Sequence, residues 1–262
     1  TLTNTYSYLP ESTVVREGAY SDSTWTHYNP GRQIISRSAL SSDGTHRTNR
    51  YTYPSDHPGQ YQWMIDRHIL SSVVTEEVSS GSLHRTTRNS YSSNESHNGT
   101  ICYLSKIETL FGTDGTGKTD YEALSVDEWG NPTEIVENGV HSVLQWCGNG
   151  QRLMTRVEGI TLEEYEALPE LSGTAGPLSD DHAVFPLVPD PVKRSLGGRL
   201  AWDYTYDKSL RLVQVMTPDG LISRCGYDAL GRLSEESFYE TDKDGNAGKK
   251  IVRKYSYHYH ND

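Results

Sequence analysis

The chain has 262 residues, 34% of them hydrophobic, and a formal charge of -11 from 35 acidic and 24 basic side chains. No run of Lys or Arg supplies an electrostatic footprint for phosphate backbones, which argues against nucleic acid as a partner. No apolar stretch approaches bilayer-spanning length, and Thr1-Leu2-Thr3-Asn4 lacks the basic start and apolar middle of a signal peptide. Direct membrane insertion is not expected, and any export signal is expected outside this chain. Aromatic character comes from 18 Tyr against 3 Phe. An aromatic body with a hydroxyl that stays wet suits half-exposed strands, so the composition points to an all-β chain.

In chain order, a short aromatic alternation opens the sequence at Tyr6-Ser7-Tyr8 and returns at Tyr51-Thr52-Tyr53, Tyr204-Thr205-Tyr206 and Tyr255-Ser256-Tyr257. Side chains alternate across a strand, so each Tyr pair is expected on one face. Tyr28-Asn29-Pro30-Gly31-Arg32 is the first, shortened copy of a second element, an Asp or Asn followed by a turn. Ser42-Asp43-Gly44 then carries a hairpin signal.

Residues 112 to 119, Gly-Thr-Asp-Gly-Thr-Gly-Lys-Thr, fit the phosphate-binding P-loop pattern at every fixed position. That loop must join a buried parallel strand to a helix. Here Asp120 to Val126 runs within a few residues into the turn at Trp129-Gly130-Asn131-Pro132, so a hairpin turn explains the same residues and no nucleotide is expected. Asp127-Glu128-Trp129-Gly130-Asn131-Pro132 keeps the Asp-to-Gly spacing of the second element, and Glu137-Asn138-Gly139 marks another hairpin.

Thr161-Leu162-Glu163-Glu164 has the form of a capping box, and Tyr165-Glu166-Ala167-Leu168 stops before Pro169, which predicts a helix of about two turns. Pro177, Pro186, Pro189 and Pro191 make residues 169 to 198 poor ladder material. The expected organisation is therefore divergent hairpins over residues 1 to 158, a helical and Pro-rich insertion over 159 to 198, and clear hairpin repeats over 199 to 262.

The last block carries the sharpest copies. Tyr206-Asp207-Lys208-Ser209-Leu210-Arg211-Leu212 and Tyr227-Asp228-Ala229-Leu230-Gly231-Arg232-Leu233 stand 21 residues apart, from Asp207 to Asp228, with Thr217-Pro218-Asp219-Gly220 between them. Asp accepts hydrogen bonds from the backbone ahead of it, and Gly tolerates the positive φ that closes the turn, so one repeat is one hairpin.

From about Trp202 to Tyr257 this pattern resembles the RHS/YD repeat family. Tyr204, Tyr206, Asp207, Pro218, Asp219, Gly220, Tyr227, Asp228, Gly231, Arg232, Leu233, Tyr255 and Tyr257 carry the motif. In that family hairpins join side by side into a long sheet that coils into a shell, around a passenger domain in bacterial toxins and as a barrel in animal teneurins. The resemblance implies an all-β, non-enzymatic scaffold segment of a larger secreted or cell-surface protein, partnered by other repeats or domains of the same chain. The self-cleavage site that many family members carry lies in a core beyond the repeats and is not carried over.

The alternative is a carbohydrate-binding module, because aromatics on a polar sheet pack against sugar faces and the family has that association. Tyr204, Tyr206 and Tyr227 are its candidate residues, joined by Tyr255 and Tyr257. Cross-strand ring pairs that hold the sheet together explain the same residues and weigh more heavily. No catalytic residue, cofactor or metal site is nominated. Asp242-Lys243-Asp244-Gly245-Asn246 lacks the later acidic ligand of a calcium loop, His258 and His260 have no further ligands nearby in sequence, and Glu163, Glu164 and Glu166 read as a solvated helix face. Cys102, Cys147 and Cys225 read as isolated thiols, and Asn98-Gly99-Thr100 is a glycosylation pattern short enough to arise by chance.

Overall fold

The computed structural model describes residues 9–17, 20–96, 99–112, 115–147, 150–168, 199–241 and 247–257. The copy at Tyr6-Ser7-Tyr8, the loop 242–246, His258, His260, Asn98 and the Pro-rich stretch 169–198 lie outside them. As expected from the sequence, the chain is all-β, with 16 strands in one sheet whose spatial order is the chain order. The strands are β1 (Ser12–Glu17), β2 (Tyr20–Tyr28), β3 (Ile34–Leu40), β4 (His46–Thr52), β5 (Thr75–Ser80), β6 (Leu83–Ser96), β7 (Gly99–Phe111) and β8 (Thr116–Val126). They continue with β9 (Pro132–Glu137), β10 (Val140–Trp146), β11 (Leu153–Glu158), β12 (Leu200–Tyr206), β13 (Leu212–Met216), β14 (Ile222–Tyr227), β15 (Leu233–Thr241) and β16 (Ala247–Lys254). The described ladders are antiparallel throughout.

The expected turns close these hairpins. Asn138 and Gly139 have φ of 50° and 84°, the mirror-image turn that matches strand twist, between β9 and β10. Gly44 and Gly220 close longer loops by donating to the carbonyls of Ser41 and Thr217. Residues 112 to 119 join β7 to β8, with Phe111 opposite Thr116 and Thr109 opposite Lys118, and the chain continues as strand. Thr113 and Asp114 lie outside the described residues. A strand-to-strand turn aims no helix N-terminus at a phosphate, so the P-loop context is absent.

The chain divides into two compact units, residues 1–93 with 102–122, and residues 94–101 with 123–262. The first contains an element the sequence reading did not place. A 3-10 turn (Pro54–Asp56) runs into α1 (Pro58–Asp66) between β4 and β5. Pro54 and Pro58 sit at first-turn positions, where a missing N–H costs nothing, and Asp56 Oδ2 accepts the Tyr53 N–H at 2.8 Å. Tyr61 and Met64, three apart on α1, are fully buried against Val74, Tyr91 and Cys102, with the Tyr61 and Tyr91 rings edge to face at 6.1 Å.

In the second unit, α2 (Leu162–Glu166) is the predicted helix. Thr161 Oγ1 accepts the Glu164 N–H, and Glu164 Oε2 accepts the Thr161 N–H, at 3.2 and 3.1 Å. Tyr165 and Ile160 cover a cross-strand row made by Val143, Val157 and Ala201 on β10, β11 and β12. Burial, then the nearby Asp203 carboxylate, pushes the Tyr165 phenol up to about 12. β11 and β12 pair directly, Glu158 opposite Leu200, and Arg199 Nε donates to the Gly159 carbonyl at 2.9 Å. Residues 159 to 199 thus leave and rejoin an already closed strand pair. No helix among the described residues is long and apolar enough to cross a membrane.

Candidate functional site

The Tyr, Asp and Arg residues of the predicted motif at 206, 207, 227, 228, 232 and 257 gather at one end of the hairpins, where the chain turns from an even-numbered strand into the next odd-numbered one. Asp228 shows the chemistry. Its Oδ1 accepts the backbone N–H groups of Leu230 and Arg232, both at 2.9 Å, while Oδ2 receives Arg232 Nε at 2.8 Å and Nη2 at 2.7 Å. The loop closes by two backbone bonds, Asp228 N–H to the Arg232 carbonyl and Gly231 N–H to the Asp228 carbonyl. Asp207 repeats every one of these contacts with Ser209, Leu210 and Arg211. Backbone donors first, and the arginine second, hold both carboxyls below the usual aspartate range.

The aromatic residue before each Asp has an equally fixed task. Tyr227 donates its hydroxyl to the Leu212 carbonyl at 2.8 Å, Tyr206 to Leu153 at 2.9 Å, and Tyr257 to Leu233 at 2.8 Å. Each acceptor is the first residue of the strand that begins the same hairpin. Ladder register shifts between Thr205 and Tyr206 and between Gly226 and Tyr227, so a bulge re-aims the ring at that carbonyl. Simple alternation therefore stops before the second Tyr of the pair, and Tyr255 and Tyr257 lie beyond the end of β16. Tyr204, one ladder step inside the bulge, is half-buried opposite Val215.

Arginine links one turn to the next. The Arg211 guanidinium lies over the Tyr227 ring at 4.6 Å, Arg232 over Tyr257 at 4.4 Å, and Arg152 over Tyr206 at 5.9 Å. Each tyrosine is thus clamped between a cation on its face and a carbonyl at its hydroxyl. Arg152 Nε also donates to the Leu210 carbonyl at 2.8 Å, and Asn131 Nδ2 to the Gly150 carbonyl at 2.7 Å. The last residue of one turn thereby braces the fourth residue of the next. Turn by turn this makes a rail along the rim of the second unit.

The rail also includes the turn whose Asp-to-Gly spacing the sequence shows at Asp127 to Pro132, and two residues, Trp146 and Cys147, that the sequence does not mark for it. Asp127 makes the same turn, its Oδ1 accepting the Trp129 and Asn131 N–H groups, with Asn131 in place of arginine. Trp146 replaces tyrosine and donates Nε1–H to the Pro132 carbonyl at 2.7 Å, again after a bulge. Cys147, read as an isolated thiol, occupies the Asp position. It is free of disulfide bonding, its Sγ accepts the Arg152 N–H at 3.2 Å, and its carbonyl accepts the Gly150 N–H. The spacing from each aromatic residue to the polar side chain five or six positions on was the available signal, and arginine was singled out only at 232.

Pro218, Asp219 and Gly220 close the opposite end of the β13 to β14 hairpin, with Gly220 at φ 83°. They lie apart from the rail. Among the described residues, no group of three or more His, Cys, Asp or Glu is placed to hold a metal ion. Tyr206 and Tyr227, nominated for carbohydrate, have their hydroxyls engaged by backbone and a ring face covered by arginine.

No protein-family model and no curated protein matches the chain. Among solved structures, the TcdB2-TccC3-Cdc42 complex is similar at TM-score 0.35 and 12% identity over 90% of this chain and 13% of that one. TcdB2-TccC3 without its hypervariable C-terminal region aligns at TM-score 0.35 and 10% identity, covering 94% and 15% of the two chains. A porin-like protein from Bacteroides uniformis aligns at TM-score 0.26 and 11% identity, over 92% and 91%. The chain spans about an eighth to a seventh of the first two.

Proposed function

We propose that this chain is a non-enzymatic scaffold segment of the RHS/YD-repeat type, part of the wall of a larger secreted or cell-surface protein that encloses or presents a passenger or toxin domain. One observation carries the reading, the recurrence of the same aromatic clamp and polar turn on successive hairpins. A repeat that fastens each hairpin to its neighbour makes an extended wall whose stability is close to a sum of local terms. The side chains that recur are spent on backbone carbonyls and amides, which is the economy of a support and not of a reaction centre.

The test is limited proteolysis of the longer natural polypeptide that contains these hairpins, alongside its carried domain expressed alone. Enclosure predicts that the carried domain is cut far more slowly in context, and that Asp207→Ala with Asp228→Ala speeds the cutting. Equal cutting rates in both settings would sink the reading.

A further inference from the structure

The short helix α2 lies on the sheet without belonging to it. β11 and β12 pair directly beneath, Glu158 opposite Leu200, so residues 160 to 168 can leave the sheet while the pairing of those strands stays in place. The side chains that hold this segment down are apolar and few. Ile160 and Tyr165 are buried against Val143, Val157 and Ala201, with Leu162 and Leu168 at the margin. A helix of five residues is too short to persist on its own in water, so once those contacts part the whole segment is expected to unwind together.

The polar fastenings of the segment meet at one carboxylate. Glu164 Oε2 accepts the Thr161 N–H at 3.1 Å and lies 3.6 Å from Arg199 Nη2. Arg199 in turn donates Nε to the Gly159 carbonyl at 2.9 Å, and the Gly159 N–H donates to the His141 carbonyl at 2.8 Å. Glu164 is therefore tied to the start of the segment through its cap and to the returning chain ahead of β12 through arginine. The Thr161 N–H chiefly, with Arg199 and His141 behind it, holds the Glu164 carboxyl below its usual range. The other charged groups around this segment are Glu134 on β9, whose Oε1 is 2.9 Å from His141 Nδ1, Asp203 on β12 near Tyr165, and Glu163 and Glu166 on α2 itself. A proton on His141 adds attraction while Glu164 is ionised, so loosening in acid waits on Glu164.

We propose that residues 160 to 168 are a lid that opens as a unit from the apolar row of β10, β11 and β12, and that the Glu164 carboxylate is the latch that sets how often it opens. Opening uncovers Val143, Val157 and Ala201 across three strands without unfolding the sheet. The latch is acid-sensitive. Because the folded carboxyl titrates below 4.5, its hold is present above that pH and is lost as pH falls through the lower folded value. The inference does not rest on the scaffold reading, since it concerns contacts within these hairpins alone.

The test is amide hydrogen exchange of the whole chain, expressed as protection relative to an unstructured peptide at the same pH. The reporters are the Tyr165, Ala167 and Leu168 amides, which donate to the Thr161, Glu163 and Tyr165 carbonyls, and the control is the β11 to β12 ladder. As pH is lowered from about 6 to about 3, protection of the lid amides should fall about fivefold, the worth of one helix cap, while the ladder keeps its own. Glu164→Gln, which keeps the shape of the side chain and loses its charge, should show the weaker protection at both pH values and little response to acid. Arg199→Gln should weaken protection at the upper pH and shrink the acid response. A response of the same size in Glu164→Gln overturns the proposal, and so does loss of protection by lid and ladder together.

Discussion

The same five-residue turn occurs in both units with different chemistry, and the contrast separates what the fold needs from what the repeat adds. In the first unit Asn29 Oδ1 accepts the Gln33 N–H at 2.9 Å, Asn29 Nδ2 donates to Gln33 Oε1 at 2.7 Å, and Tyr53 donates to the Ile34 carbonyl at 2.8 Å. In the second unit Asp207 with Arg211, and Asp228 with Arg232, occupy those positions as ion pairs, and the arginines also cover tyrosine rings. The backbone turn and the hydroxyl clamp are common to both. Charge and ring stacking are additions, found where each hairpin is braced by the next turn. Where the neutral pair stands, Gln33 Nε2 donates instead to the Leu70 carbonyl, beyond α1, and a helical segment with its own small core supports the hairpins. Side support and rim support are alternative ways to hold a half-buried sheet.

The helical braces are the largest part of that contrast. Tyr61→Ala in the first unit and Tyr165→Ala in the second should each cost about 3 to 5 kcal/mol, read as a fall in denaturation midpoint. A loss below about 1 kcal/mol at Tyr61 would mean that α1 does not support its hairpins. Next in size is Gly231→Ala, which puts a Cβ on a residue at φ 79° and within 3.4 Å of Arg211 Nη1. It should lower stability by about 1 to 2 kcal/mol, while Gly59→Ala, at ordinary φ with open space, should not.

Removing the clamp hydroxyl alone, by Tyr227→Phe or Tyr53→Phe, should cost about 1 kcal/mol in either unit, because the bond is the same in both. Unequal costs would show that the arginine over Tyr227 also sets the worth of its hydroxyl, and a double-mutant cycle with Arg211→Gln would measure that coupling. The smallest effect is the response to acid. The folded carboxyls of Asp207 and Asp228 lie below 3.8, so their contribution is present above that pH and is lost as pH falls through the lower folded value. Acid unfolding curves of the chain and of Asp207→Asn with Asp228→Asn should differ above that window and converge below it, while Asn29→Ala should shift the curve by the same amount at every pH.

The strand class and most turns were legible because they depend on local rules. Gly139 and Gly220 need a positive φ, and Thr161 with Glu164 forms a cap regardless of what lies elsewhere. The repeated Tyr and Asp also showed in the sequence, and Tyr206, Asp207, Tyr227, Asp228 and Tyr257 all take part in the rail. What they do there was not legible, because a bulge decides where the ring points and a bulge leaves no mark in an alternating pattern. Trp146 and Cys147 hid for a related reason, since indole and thiol replace phenol and carboxylate only once the backbone geometry is known. α1 was masked by Tyr51-Thr52-Tyr53, which continues a strand pattern up to Pro54, and its short apolar spacing of Tyr61 and Met64 gains meaning only from Val74 and Tyr91 across the turn.

The direct pairing of Glu158 with Leu200 has an engineering consequence. Because the ladder is closed at the root of residues 159 to 199, the cost of carrying a longer or shorter excursion there grows only as the logarithm of its length, about 0.6 kcal/mol per doubling. A change in the length of the segment between Leu168 and Arg199 should therefore leave the register of β11 and β12 in place.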